Sequence, residues 1–282
     1  MLQDKRITIT GGSGFLAQAL VPRILSQKPK SVLCMARNEG QLIKMREKFG
    51  VDILCGDVAD PWSSSRAMQN ADIVFDLAAF KHVGIAETQV YECVRSNVIG
   101  TMMLLQEALD YPPEMFLFIS TDKAAQVKGV YGATKLIGER LVQEAAKLSP
   151  QTKFRMVRYG NILYSTGSVL NIWKQALKDG RPLQIADPEM TRFFWTVDQA
   201  VDLIFDCMNH ASHPEPWLPK MKSAKLGDLL EAFKLKYADP KKTWTQLTTG
   251  IGQADNMHET VDGKTFSNEV EHYTVEQLMT MI

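Results

Sequence analysis

The chain is short of the features that mark several specialised classes. It has no surplus of charge of either sign, with 32 Lys and Arg against 32 Asp and Glu in 282 residues. A nucleic-acid binder needs a basic footprint for the phosphate backbone, and none is present here. Long apolar runs are missing too. The longest stretch without a charged residue, Ile7 to Pro22, contains three glycines and falls short of the roughly 20 apolar residues of a membrane span. The opening MLQDKRITIT leads into a strand and lacks the apolar core of a signal peptide. Only four cysteines occur (Cys34, Cys55, Cys93 and Cys207), widely spaced and with no CxxC pair. That excludes a disulfide framework and a zinc ribbon, and it fits reduced thiols, so a cytoplasmic protein without a metal site is expected. No repeat or low-complexity tract is visible. Hydrophobic residues at 45% and charged residues at 23% describe an ordinary folded chain.

The first 160 residues alternate β-rich runs with amphipathic ones. Strands are predicted at Arg6–Thr10, Ser31–Met35, Val51–Cys55, Asp72–Leu77, Met115–Ser120 and Phe154–Arg158, and helices at Gly14–Gln27, Gly40–Phe49, Val98–Leu109 and Tyr131–Leu148. Nearly continuous apolar strands separated by helices indicate a parallel sheet covered on both faces. The fold class is therefore α/β, a doubly wound parallel sheet, with residues 1–160 as the dinucleotide-binding domain. Beyond it, 160–167, 180–190 and 214–219 read as loops, 196–208 and 226–234 as helices. The polar tail after Asn256 suggests a smaller substrate-binding part, 161–282, that leans on the first domain instead of owning a large core, with the helix near 196–209 packing back onto the sheet.

Gly11, Gly14 and Ala17 form a G-x-x-G-x-x-A fingerprint after the first strand and at the start of a helix. Such glycines allow a tight turn and let the backbone approach a pyrophosphate at the helix N-terminus. The second strand ends in Ala36–Arg37–Asn38, without the acidic residue that binds a ribose 2′-hydroxyl. Arg37 can pair with a 2′-phosphate, which favours NADP; the plain alternative is a solvated arginine. Asp57, in Gly56–Asp57–Val58, is a candidate for the adenine amine, or else a helix N-cap.

Two clusters carry the chemistry. Ser120–Thr121–Asp122–Lys123 stands at the carboxyl end of the fifth strand, where open α/β sheets collect ligands. Tyr131 and Lys135 lie four apart on a helix and share a face. A lysine ammonium beside a phenol lowers its pKa from about 10, giving a base for a hydroxyl.

With these motifs in hand, the chain resembles the extended short-chain dehydrogenases/reductases. Within them it is most similar to the inverting UDP-N-acetylglucosamine 4,6-dehydratases of flagellin and capsule sugar pathways. The strings ITGGSGFLA, GDV, DLAAFKHV, RSNVIGT, STDKAA, YGATK, VRYGN, GSV, DPEMTRFFWT and LPKMKSAKLGDLLEAF carry the likeness over nearly the whole chain. The resemblance implies a Rossmann domain holding NADP through Gly11, Ser13, Gly14, Phe15, Leu16, Arg37, Asp57, Val58, Leu77, Ala78, Ala79, Tyr131 and Lys135. It implies a UDP-sugar substrate held by Lys81, Thr121, Asn161, Val169 and Arg192, and a homo-oligomer, dimer or hexamer. The plain alternatives are that Asn161 satisfies loop backbone, Val169 is core and Arg192 pairs with Asp187. Asn97 falls in a helix whose side-chain amide supports a distortion near the site.

The branch is set by the residue after Asp122. Inverting dehydratases carry Asp-Lys there and retaining ones Asp-Glu, and this chain has Asp122–Lys123. The implied catalytic set is Thr121, Asp122, Lys123, Tyr131 and Lys135. Lys123 would take the C5 proton if its amine is partly neutral in a desolvated pocket. Three segments depart from the family pattern: Val127–Lys128–Gly129 ahead of the tyrosine, Ser165–Thr166–Gly167–Ser168 without its arginine, and Gly252–Gln253–Ala254–Asp255–Asn256 in place of Arg-Pro-Gly-Glu-Lys. Weaker hold on the nucleotide, or another sugar nucleotide, is the expected consequence. The competing readings are a UDP-sugar 4-epimerase, a 5,6-dehydratase, and a catalytically silent NADP-binding sensor or scaffold.

Overall fold

The computed structural model describes residues 1–282. The chain begins β1 (Arg6–Thr10), α1 (Phe15–Leu25), β2 (Ser31–Ala36), α2 (Glu39–Phe49), β3 (Asp52–Cys55), α3 (Pro61–Met68) and β4 (Ile73–Asp76). Two short helices, α4 (Val83–Thr88) and α5 (Val90–Val94), run through a π-turn at Arg95–Ile99 into α6 (Gly100–Asp110). Then come β5 (Met115–Thr121), α7 (Val130–Leu148) and β6 (Lys153–Tyr159). The predicted alternation is present, and β1 has the predicted bounds.

These strands form one parallel sheet in the order β3-β2-β1-β4-β5-β6, extended by a seventh strand. Their apolar runs are buried because helices cover both faces: Phe116 and Phe118 face Leu104 and Val142 on one side, while Leu117 and Ile9 face Leu20 and Ile24 on the other. Sheet growth reverses between β1 and β4, which opens a crevice beyond the strands' carboxyl ends. The first turn of α3 is capped by Asp60, whose carboxylate accepts from Ser63 N at 2.9 Å; the N-cap alternative for Asp57 is thereby excluded.

The rest of the chain adds β7 (Asn161–Ile162), α8 (Val169–Asp179), β8 (Leu183–Ile185), β9 (Thr191–Trp195), α9 (Val197–His210), β10 (Pro216–Trp217), β11 (Ser223–Lys225), α10 (Leu226–Tyr237), β12 (Gln246–Thr248) and α11 (Val275–Met281). Helix α9 packs onto the sheet: Ile204 and Cys207 join the core beneath α1. Two expectations are corrected. Residues 214–219, read as a loop, supply β10, the sheet's seventh strand, paired through Pro216↔Met156 and Trp217↔Val157. An edge tolerates the proline's missing N–H. The C-terminal part also owns a core of 16 buried residues, among them Leu170, Trp173, Phe194, Leu230 and Phe233. The polar tail contributes to it because α11, opened by a Thr274/Gln277 capping box, turns Leu278 inward.

Trp173 anchors this second core. It is fully buried, its ring centroid lies 5.4 Å from that of Phe233, and its indole N–H donates to Gln184 O at 2.6 Å. Trp173→Ala is expected to cost about 3–5 kcal/mol of stability, read by urea unfolding; a loss below 1 kcal/mol would contradict this packing.

Candidate active site

The site is built outward from the end of β5. Ser120 is buried and donates to Glu139 of α7, which Arg158 of β6 grips with two further hydrogen bonds. This network fixes β5, β6 and α7 relative to one another. The chain leaves β5 through a single 3₁₀ turn, Asp122–Ala124, capped by Thr121. The start of α7 lies directly against that turn: any side chain at Gly132 would collide with the Lys123 carbonyl. Close approach at Gly132 is thus what sets Tyr131 beside Asp122 and Lys123.

Asn97, inside the π-turn, ties a second loop to the same helix. Its amide accepts from Phe80 N at 2.7 Å and donates to Phe80 O at 2.9 Å and to Thr134 Oγ1 at 3.0 Å. The distortion expected around Asn97 therefore serves to bring the loop after β4 against α7. Glu87 accepts from Val130 N at 2.6 Å, and a side chain at Gly129 would meet Glu87 and Ala254. Lys128 donates to the Asp255 carbonyl, so two of the three segments that depart from the family pattern pack on each other.

Asp122 is fully buried and accepts at Oδ1 from Thr121 Oγ1 at 2.8 Å and from Lys123 Nζ at 3.2 Å, while its Oδ2 has no partner. On its other side Lys123 Nζ lies 3.5 Å from Glu259 Oε1, which in turn lies 3.7 Å from Arg192 Nε. Burial pulls the Lys123 amine down, but Asp122 and then Glu259 outweigh it and hold it above the ordinary lysine range. The expectation of a partly neutral Lys123 is corrected: in this state it is an ammonium, because two buried carboxylates surround it. Glu259 was not among the sequence candidates; its partners are far away in the chain, and no local spacing points to them.

The pairing expected between Tyr131 and Lys135 is corrected as well. Burial pushes the Tyr131 phenol up to about 12, and the cation that opposes this is Lys123. Lys135 sits a turn deeper, 3% exposed, with Nζ 4.2 Å from the centre of the Phe118 ring. Burial brings its amine down to about 8, against the pull of Asp76 and Glu139.

A cavity of about 1020 Å³ runs along the carboxyl ends of the strands, large enough for two ligands of nucleotide size. At one end lie Gly11, Ser13, Gly14, Phe15, Leu16, Arg37, Asp57, Val58, Leu77, Ala78 and Ala79. Thr121, Asp122, Lys123, Tyr131 and Lys135 stand in the middle, and Lys81, Asn161, Val169 and Arg192 beyond. The dinucleotide end fits its group. Gly11 has φ +60°, and a Cβ there would lie 2.8 Å from the Leu77 carbonyl, so only glycine permits this turn. No side chain caps α1, which leaves its first N–H groups for an anion. Arg37 is exposed at the rim, whereas Asp57 is engaged: it accepts from Arg95 Nη1 at 2.6 Å and from Ala59 N at 3.0 Å.

At the far end, Lys81 Nζ donates to Thr166 O at 2.8 Å, which joins the two cavity walls. Asn161 begins β7, and Val169 begins α8 and packs against the second core. Arg192, which lines the cavity, does not pair with Asp187, the plain alternative read from the sequence. It is 4% exposed and donates to the backbone carbonyls of Thr191, Asn256 and Met257, with Glu259 at its Nε.

The polysaccharide biosynthesis protein family matches residues 7–281. The chain belongs to that family. It is an extended short-chain dehydrogenase/reductase, with the sheet order and the Tyr131/Lys135 helix of that fold. The inverting UDP-N-acetylglucosamine 4,6-dehydratase of Campylobacter jejuni serotype O:2 is 30% identical over 283 residues, covering 98% of this chain and 81% of its own length. An uncharacterized membrane protein of Methanocaldococcus jannaschii, MJ1061, is 39% identical over 234 residues, 81% of this chain and 70% of that protein. No helix of the present chain is long and apolar enough to cross a membrane. Among solved structures, Pen from Bacillus thuringiensis superposes with a TM-score of 0.88 at 31% identity, over 92% of this chain and 81% of Pen.

Lys135 makes a pH signature. Its amine is brought down to about 8 in the folded chain from the ordinary lysine value of 10.5, so between these values the unfolded chain binds more protons and stability rises with pH. Relative to Lys135→Met, the wild type is expected to gain stability between pH 8 and 10, read by urea unfolding at each pH. A flat or falling difference would contradict this burial.

Proposed function

We propose that this protein is an NADP-dependent, C5-inverting 4,6-dehydratase of UDP-N-acetylglucosamine or a related UDP-N-acetylhexosamine, acting in the cytoplasm. The observation that carries the proposal is the buried Asp122–Lys123 pair in the same cavity as Tyr131 and Lys135. A 4-epimerase needs only the last two and leaves the pair without a task, and a silent NADP-binding sensor has no use for all four. NADP over NAD rests on Arg37 at the cavity rim and on the absence of an acidic residue at the end of β2.

Bound NADP+ supplies a hydride acceptor for C4 and later a hydride donor for C6. Tyr131 receives the 4-hydroxyl proton, and Thr121 orients that hydroxyl. Burial pushes the Tyr131 phenol up to about 12, so phenolate is scarce near neutral pH, and positive charge brought close to it raises that fraction. The 4-ketone acidifies C5–H, and Lys123 takes that proton once its own ammonium proton has moved to Asp122, whose Oδ1 lies 3.2 Å away. Asp122, when protonated, hands a proton to the departing 6-hydroxyl, and water leaves. Reprotonation of C5 from the opposite face inverts it. Lys81, Asn161 and Val169 hold the sugar nucleotide, while Arg192 fixes the wall behind it.

Two substitutions separate the steps. Lys123→Ala is expected to lower C5–H exchange with solvent by at least about 100-fold, the scale of general base catalysis, while hydride removal from C4 persists. Tyr131→Phe is expected to suppress both. Single-turnover absorbance of the reduced cofactor and NMR of the sugar in D2O read the two steps. Wild-type exchange in Lys123→Ala would remove the role given to Lys123.

A further inference from the structure

Glu259 is a fully buried carboxylate just behind the cavity wall. Ser267 pins its backbone from both sides: Glu259 N donates to Ser267 Oγ at 2.9 Å and Ser267 N donates to Glu259 O at 2.8 Å. Its side chain has little else to do. Oε2 has one long contact, from Asn256 Nδ2 at 3.5 Å, and Oε1 has no hydrogen-bond partner. That orphaned oxygen is the one facing the two cations, 3.5 Å from Lys123 Nζ and 3.7 Å from Arg192 Nε. A buried carboxylate is costly to keep unless it serves a paired charge. Arg192 is already held by three backbone carbonyls, so the charge Glu259 chiefly serves is that of Lys123.

We propose that Glu259 is a positioning residue that acts through Lys123 and sets the pH at which the Lys123 amine becomes a free base. The proposal rests on the dehydratase reading for the use it gives that base. Four groups face the amine: Asp122, Glu259, Arg192 and Tyr131. Glu259 itself faces Lys123, Asp122 and Arg192. Burial pushes the Glu259 carboxyl up while Lys123 opposes it; once Glu259 is ionised, its charge balances one of the two cations it faces, and loss of the Lys123 proton removes that balance inside a buried cluster. Glu259 therefore holds the ammonium form and delays the base to higher pH. A counter-charge at this distance shifts a pKa by about 1–3 units.

The test uses the full-length protein with bound NADP and the variants E259Q and E259D. Two midpoints are measured. One is the pH at which solvent deuterium enters C5 of UDP-N-acetylglucosamine. The other is the NMR titration of the Lys123 side chain without sugar nucleotide, assigned by its loss in K123A. Both midpoints are expected to fall by about one unit or more in E259Q, with E259D, whose anion is drawn back, between it and the wild type. Midpoints that stay put or rise in the variants overturn the proposal, even when the melting temperature drops, since a merely structural residue would lower stability alone. If E259Q does not fold, the E259D midpoint decides, by falling or by staying at the wild-type value. A wild type that exchanges no deuterium at C5 refutes the dehydratase reading instead, and the side-chain titration then decides the role of Glu259 by itself.

Discussion

Asp122, Lys123, Glu259 and Arg192 form a chain of opposite charges linked by contacts of 3.2, 3.5 and 3.7 Å, three of them buried outright and the lysine nearly so. Ions of this kind are expensive to remove from water, and such a cluster persists only when its charges cancel and its remaining polar atoms are held. The surrounding structure meets that condition in large part, leaving Asp122 Oδ2 and Glu259 Oε1 without a hydrogen-bond partner. Thr121 donates to Asp122, three backbone carbonyls receive Arg192, and Ser267 fixes the backbone of Glu259. The cluster also explains why the C-terminal part has a core of its own. Two of the charges come from the turn after β5 and two from β9 and the segment near Glu259, and each half needs a rigid support to stay within 4 Å of the other.

The geometry of a parallel sheet supplies the rest. Every strand delivers its last residue to the same edge, so Asp76 of β4, Thr121 of β5 and Tyr159 of β6 end close together without any local motif linking them. The crevice between β1 and β4 opens at that edge, and the dinucleotide end of the cavity lies there because Gly11 alone permits the turn. Helix α7 then crosses the centre, bringing one half-buried phenol and one buried amine to the middle of the cavity. Burial shifts both towards their neutral forms, the phenol up to about 12 and the amine down to about 8.

The sequence made the sheet readable because its strands are nearly pure apolar runs and its helices are periodic. The fingerprint at Gly11 and the Tyr131/Lys135 spacing were equally legible, since each is a local pattern with a mechanical reason. What escaped was non-local. Pro216–Trp217 is a two-residue strand that exists only because β6 offers an edge. The tail looked too polar for a core, although Thr274 and Gln277 already spelled a capping box ahead of Leu278. The protonation of Lys123 was only half legible: Asp122 is its neighbour in the chain, but Glu259 lies 136 positions further along. Arg37 is the converse case: its place at the cavity rim follows from the end of β2, a strand the sequence defines well.

The central claim is that this cluster eliminates water across C5 and C6 of a UDP-N-acetylhexosamine. The most direct measurement is to incubate the wild-type protein with NADP+ and UDP-N-acetylglucosamine in D2O and to identify the product by mass spectrometry and NMR. The account predicts loss of one water, deuterium at C5, a methyl group at C6 and an L-configured 4-keto sugar. A product of unchanged mass with an inverted C4 would contradict it and identify an epimerase.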